Sequence, residues 1–151
     1  MQLGHVPLAL SIASFDWNPR TVLFCLAMHF LPNVDTLVSK AGLAKPSFHC
    51  TVTHTLAFAI VVTAIVYVFS PFYAAFAFVA LLTHYLADLG STVGLPLLWP
   101  LSKKKFTIAL FKDTGSWGWE MYKGYYRQPQ TWALEGAVVV FFVWRMTQLY
   151  A

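Results

Sequence analysis

The sequence predicts an all-α fold: an integral membrane helical bundle of about four to five short helices, forming one membrane-embedded domain over residues 1–151. Three observations predict it. Of the 151 residues, 58% are hydrophobic and only 11% charged, whereas a water-soluble domain carries about 25% charged residues with which to clothe its surface. The apolar residues fall in continuous runs longer than ordinary strands. Turn-forming residues separate those runs, with proline at several of the breaks.

Taken in order, HVPLALSIASF (5–15) and TVLFCLAMHFLP (21–32) are short apolar segments joined by the turn Asp16–Arg20. HTLAFAIVVTAIVYVF (54–69) ends at Ser70-Pro71, because proline has no amide donor and disfavours helix in the residue before it. FYAAFAFVALLTHYLAD (72–88) returns, and TWALEGAVVVFFVWRMTQLY (131–150) closes the chain. A full span takes about 20 apolar residues, so only the last segment is expected to cross comfortably. The stretch 89–130, rich in Gly, Lys and aromatic residues, reads as a long functional excursion.

The chain carries ten Lys and Arg against six acids, a net charge of +4. Folding the segments back and forth puts loop 33–53 and region 89–130 on one side. Eight of the ten basic residues then lie there: Lys40, Lys45, Lys103, Lys104, Lys105, Lys112, Lys123 and Arg127. The positive-inside rule makes that side cytoplasmic, and the charge is read as a topology signal with no nucleic-acid partner. Cys25 and Cys50 lack the spacing of a disulfide framework or zinc knuckle. No cleavable signal peptide is expected, since the first residues lack a basic segment and a small-residue cleavage site.

The same folding collects His5, His29, Asp35, His49, His54, His84 and Asp88 at that end, which helix packing does not require. His84 and Asp88, four apart, share one helical face and are the kind of pair that holds zinc, manganese or iron. A hydrogen bond within a polar seam explains the pair equally well. In FHCTVTHTLAF, Thr53 is a candidate helix N-cap. His49 lies on the loop and His54 at the helix start, and ionisable groups at membrane depth are functional candidates. Asp35 follows Pro32 and suits either a ligand or a turn; His29, on an apolar face, reads as structural. Glu135 and Arg145 are ten apart in the last segment, with Arg145 snorkelling to the far interface. No GxSxG, Walker or HExxH signature is present.

His5 before an apolar run, then LPNVD, HCTVTHT and HYLADLGSTVGLPLLWPLSKKKF, resembles the inner-membrane metal-dependent hydrolase family over about residues 3–106. That family is grouped by remote similarity with zinc-dependent phospholipase C and P1 nuclease. The long third motif, with His84, Asp88, Ser91, Gly94, Trp99, Pro100 and Ser102, carries most of the resemblance. Asn33, Thr36 and Cys50 depart from the family pattern, which reduces the implied centre to a single ion. The resemblance implies a divalent cofactor, zinc or else manganese, bound by His54, His84, Asp88 and His5. It further implies catalytic roles for Asp35 and His49, and substrate contacts from Thr53, Lys103 and Lys104. The implied substrate is an amphiphilic phosphoester drawn from the membrane lipids. Two other readings remain open at this stage: a structural metal site without catalysis, and an ion or proton transporter.

Overall fold

The computed structural model describes residues 2–44, 50–112 and 119–151. Among these the regular structure is helical: α1 (His5–Ala13), α2 (Pro19–Phe30), α3 (Val34–Lys40), α4 (Leu56–Phe69), α5 (Pro71–Asp88), α6 (Trp119–Tyr126) and α7 (Pro129–Tyr150). The five expected segments are α1, α2, α4, α5 and α7, and the short α3 and α6 are additional. Side-chain caps set several of the boundaries. The Asn18 carbonyl oxygen accepts from the amides of Arg20 and Thr21 ahead of Pro19, opening α2. Ser70 closes α4 by donating its amide to Val66, then opens α5 by accepting from Tyr73.

Two boundaries differ from expectation. The second segment does not stop at Pro32. Leu31–Asn33 forms a 3-10 turn and α3 continues to Lys40, because a proline in the first turn of a new helix gives up no intrahelical hydrogen bond. Consequently Pro19–Lys40 is the one stretch among the described residues long and apolar enough to cross a membrane by length and composition. The last segment, which was expected to fill that role, has the length at 22 residues but interrupts its apolar face with Glu135 and Arg145. The second correction concerns the start of α4. Its cap is Thr55, whose hydroxyl accepts from the Phe58 amide, and Thr53 lies in the preceding 3-10 turn Val52–His54.

Helix α5 is central, packing on α1, α2 and α4. Its buried face runs Ala74, Ala77, Ala80 and Leu81, then His84, Tyr85 and Ala87. Alanine at helical spacing lets neighbouring backbones approach closely, the usual basis of helix packing in membranes. Helix α2 answers with Thr21, Cys25 and His29, and α1 with His5, Ala9, Ile12 and Ala13. The seam is therefore apolar along most of its length and ends in histidine on all three helices.

Helix α7 runs parallel to α1 and holds both its ends. At the N-terminus the Glu135 carboxylate accepts from the Gln2 amide at 2.8 Å, and Tyr126 donates to the same carboxylate at 2.8 Å while accepting from Leu3. At the C-terminus Arg145 donates to the Ser14 hydroxyl at 3.1 Å, with its guanidinium 4.2 Å over the Phe15 ring. An acid at the start and a base at the end both oppose the α1 dipole. Arg145 is thus spent on α1 rather than snorkelling. Outward, α4 and α7 present exposed Ile60, Val61, Ile65, Val68, Val140 and Val143. An apolar belt of this extent is the face a bilayer covers.

Candidate metal centre

Four separated segments bring His5, His29, His54, His84 and Asp88 to one end of the bundle. Helices α1 and α4 begin there, and α2 and α5 end there. His84 Nε2 lies 3.1 Å from Asp88 Oδ2. His54 Nε2 lies 3.4 Å from His84 Nε2 and 3.5 Å from Asp88 Oδ2. His5 Nε2 lies 3.2 Å from the other oxygen, Asp88 Oδ1. His54 and His84 are fully buried, whereas the Asp88 side chain keeps 15% of its surface open, so Asp88 is where the cluster meets its surroundings.

Groups behind the cluster decide which ring nitrogen carries the proton on His29, His5 and His54, whereas His84 Nδ1 is buried without a partner among the described residues. The Ala80 carbonyl only accepts, so His29 donates to it from Nδ1 at 3.1 Å. The Thr83 hydroxyl is occupied by the carbonyls of Val79 and Ala80 and does not compete. His29 Nε2 is left as an acceptor, and His5 donates to it from Nδ1 at 2.9 Å. In the neutral form this tautomer turns the His5 Nε2 lone pair toward Asp88. On the other side His54 Nδ1 faces Asp35 Oδ2 at 3.2 Å, which directs a second Nε2 at the cluster. Such outer carboxylate and imidazole partners are what fix and sharpen metal-ligating histidines.

Two imidazole lone pairs and a carboxylate at these separations repel unless positive charge sits among them. A proton serves in part: burial opposes charge on His54, but hydrogen bonds to Asp35 and Asp88 outweigh it and hold its pKa above the ordinary 6.5. A divalent cation serves His54, His84 and Asp88 together. The donor set therefore fits a metal ion, and His54, His84 and Asp88 form a group of the right compactness to hold one. His5, His29 and His84 form a second such group. The proton on His5 Nδ1 points into it, however, and its Nε2 faces Asp88 instead.

Of the residues expected to act, His5, His54, His84 and Asp88 are brought together. Asp35 is not a free base. Its Oδ2 accepts from the Cys50 amide at 3.0 Å and the Thr53 hydroxyl at 2.8 Å as well as facing His54, so it orients His54. Thr53 accordingly donates to Asp35 and caps no helix. Lys103 and Lys104 are exposed, with the Lys104 ammonium 5.6 Å from the Phe106 ring, and neither contacts the cluster. His49 lies outside the described residues. Sequence reasoning missed His29 as a partner, although Thr21, Cys25 and His29 at four-residue spacing mark one buried helical stripe.

An all-helical bundle with a lipid-type exterior and a buried His/Asp centre at one end defines a membrane protein built around a candidate ion site. The chain matches the YdjM inner membrane protein family over residues 3–151 and belongs to it. The match extends through α6 and α7, beyond the part that carried the resemblance. No curated protein and no solved structure matches the chain.

Proposed function

We propose that this protein is a membrane-bound metal-dependent hydrolase acting on a phosphoester-type amphiphile at the cytoplasmic face. The observation that carries the reading is the convergence of the Nε2 atoms of His5, His54 and His84 on Asp88, with His29 behind His5 and Asp35 behind His54. A donor set of three imidazoles and one carboxylate suits zinc, with manganese the alternative. A divalent ion bound there would supply Lewis acidity and a water acidic enough to attack at neutral pH. The chain's own residues hold and orient: His29 sets His5, Asp35 sets His54, and Asp88 meets the surroundings where a headgroup would arrive. The near-total burial of His54 and His84 supports a second reading, a structural ion site without turnover.

The deciding experiment is elemental analysis of detergent-purified protein beside the H84A/D88A variant, followed by a phosphoesterase screen in lipid nanodiscs. Stoichiometric zinc lost in the variant, with turnover abolished by D88N and H54A, is the expected result. Metal without turnover selects the structural site. A folded, metal-replete preparation that binds no ion overturns both readings, and flux into liposomes without hydrolysis would mark a transporter.

A further inference from the structure

The lysines that do not reach the metal centre stand on a distinct feature. After α5 the chain folds back on itself, and Leu95 and Phe106 exchange two backbone hydrogen bonds of 2.8 and 2.9 Å. The base of this arm is pinned. Leu95 is 1% exposed and packs with Leu81, Tyr85 and Ala59, and Leu97 accepts from the Leu56 amide at the start of α4. Gly94 takes φ +72° at the fold, where an added Cβ would press on the Phe106 carbonyl at 3.0 Å. Gly90 lets Phe111 pack within 2.5 Å of where a Cβ would stand, so the returning strand lies flush on the end of α5.

The tip is built differently. Leu98, Trp99 and Leu101 are 43%, 38% and 94% exposed, and Lys103, Lys104 and Lys105 follow at once, all exposed. Leu101 thus has almost no protein contact, and a rigid base holds it outward. The arm springs from the junction of α5 and α4, at the bundle end where the apolar belt stops. In an inner membrane protein the apolar phase nearest that position is the acyl region beneath the headgroups. Tryptophan prefers that depth, and lysine stems lie along it while their ammonium groups reach phosphate.

We propose that residues 96–105 form an interfacial anchor that inserts Leu98, Trp99 and Leu101 among the lipids and reads anionic phospholipid headgroups through Lys103, Lys104 and Lys105. Charge complementarity selects the occupant: three adjacent ammonium groups with no carboxylate between residues 89 and 112 favour an anionic over a zwitterionic leaflet. This assignment is independent of the metal centre. It moves Lys103 and Lys104 from the substrate to the membrane.

The test places a nitroxide on L101C, Cys25 and Cys50 being buried, in vesicles of phosphatidylcholine alone or with phosphatidylglycerol. Collision rates with oxygen and with a water-soluble nickel chelate read the depth of the label. With phosphatidylglycerol the oxygen-to-nickel ratio should rise several-fold, and it should fall back in K103Q/K104Q/K105Q, whose substitutions lie on the exposed surface. A label open to the nickel chelate in both lipids overturns the anchor, and equal depth in both overturns headgroup reading. A label on V68C, in the α4 belt, should be immersed throughout. Its failure would indict the membrane reading rather than the arm.

Discussion

The two ends of the bundle both hold polar groups under apolar helices, and they hold them on opposite terms. At the α1–α2 turn, Asp16 Oδ2 accepts from the Thr21 hydroxyl and from the Asn18 amide, and the Asn18 carbonyl oxygen caps α2. These three residues lie within five positions of one another, and each acceptor meets a donor. At the other end the partners come from residues 5, 54, 84 and 88, and three ring nitrogens converge on one carboxylate. Local matched pairs close a turn and need nothing further. A convergent set of imidazole nitrogens around one carboxylate gains most from a cation among them, which is the physical content of the proposed centre.

Removing a ligand from the second end should have the largest effect. D88N takes away the one negative charge among the described residues in direct contact with all three imidazoles, and metal retention in detergent should fall by several orders of magnitude, read by elemental analysis after dialysis against a weak chelator. D16N, its counterpart at the matched end, should leave metal content unchanged and cost about 1 kcal/mol of stability, because an amide oxygen still accepts from Thr21. Equal metal loss in both variants would erase the distinction between the two ends.

Next in size is the outer layer. H29F removes the acceptor that holds the His5 proton on Nδ1. The proton should move to Nε2, where Asp88 accepts it, and turn away the lone pair. Metal affinity should drop about 10- to 100-fold, the usual range for an outer partner of a ligating histidine. Nitrogen-15 spectra of the metal-free protein read the two tautomers directly, and an unchanged His5 spectrum in H29F would remove His29 from the site.

Legibility follows the same division. The helical segments could be read because apolar runs and prolines are local signals. His84 and Asp88 could be read because one turn separates them. The partnership of His5 with His29 depends on α1 packing against α2, and that of Asp35 with His54 on α3 meeting the turn before α4, and no spacing within a single segment encodes either. Thr53 misled for the same reason. Its hydroxyl has a good local option as a cap, but it goes to Asp35, eighteen residues away. The length of the first span was misread because Pro32 looks like a stop and instead opens a turn that continues the helix.

The pH dependence should separate the proton from the metal as occupant of the centre. The carboxylates on either side raise the His54 pKa above 6.5. In metal-free protein the resulting stability is fully present below the unfolded imidazole value and is lost as pH rises through the raised folded value. Metal binding needs that same nitrogen deprotonated, so affinity should increase with pH. Thermal melts between pH 6 and 9 should therefore decline with pH in excess chelator and rise with pH in excess zinc. Parallel slopes would mean that His54 is not a shared site.

The smallest expected effect lies outside the cluster, at the clamp on α1. E135A leaves the Gln2 amide and the Tyr126 hydroxyl without their acceptor, which costs about 1–3 kcal/mol in a site this buried. His5 stands three residues past Gln2, in the first turn of the helix that clamp holds, so looser anchoring should lower metal affinity a few-fold while the His5 tautomer stays fixed by His29. E135Q keeps an acceptor oxygen and should recover most of both losses. Tautomer and affinity therefore distinguish the two supports. His29 decides which nitrogen of His5 faces the centre, and Glu135 decides how firmly the helix bearing it is held there.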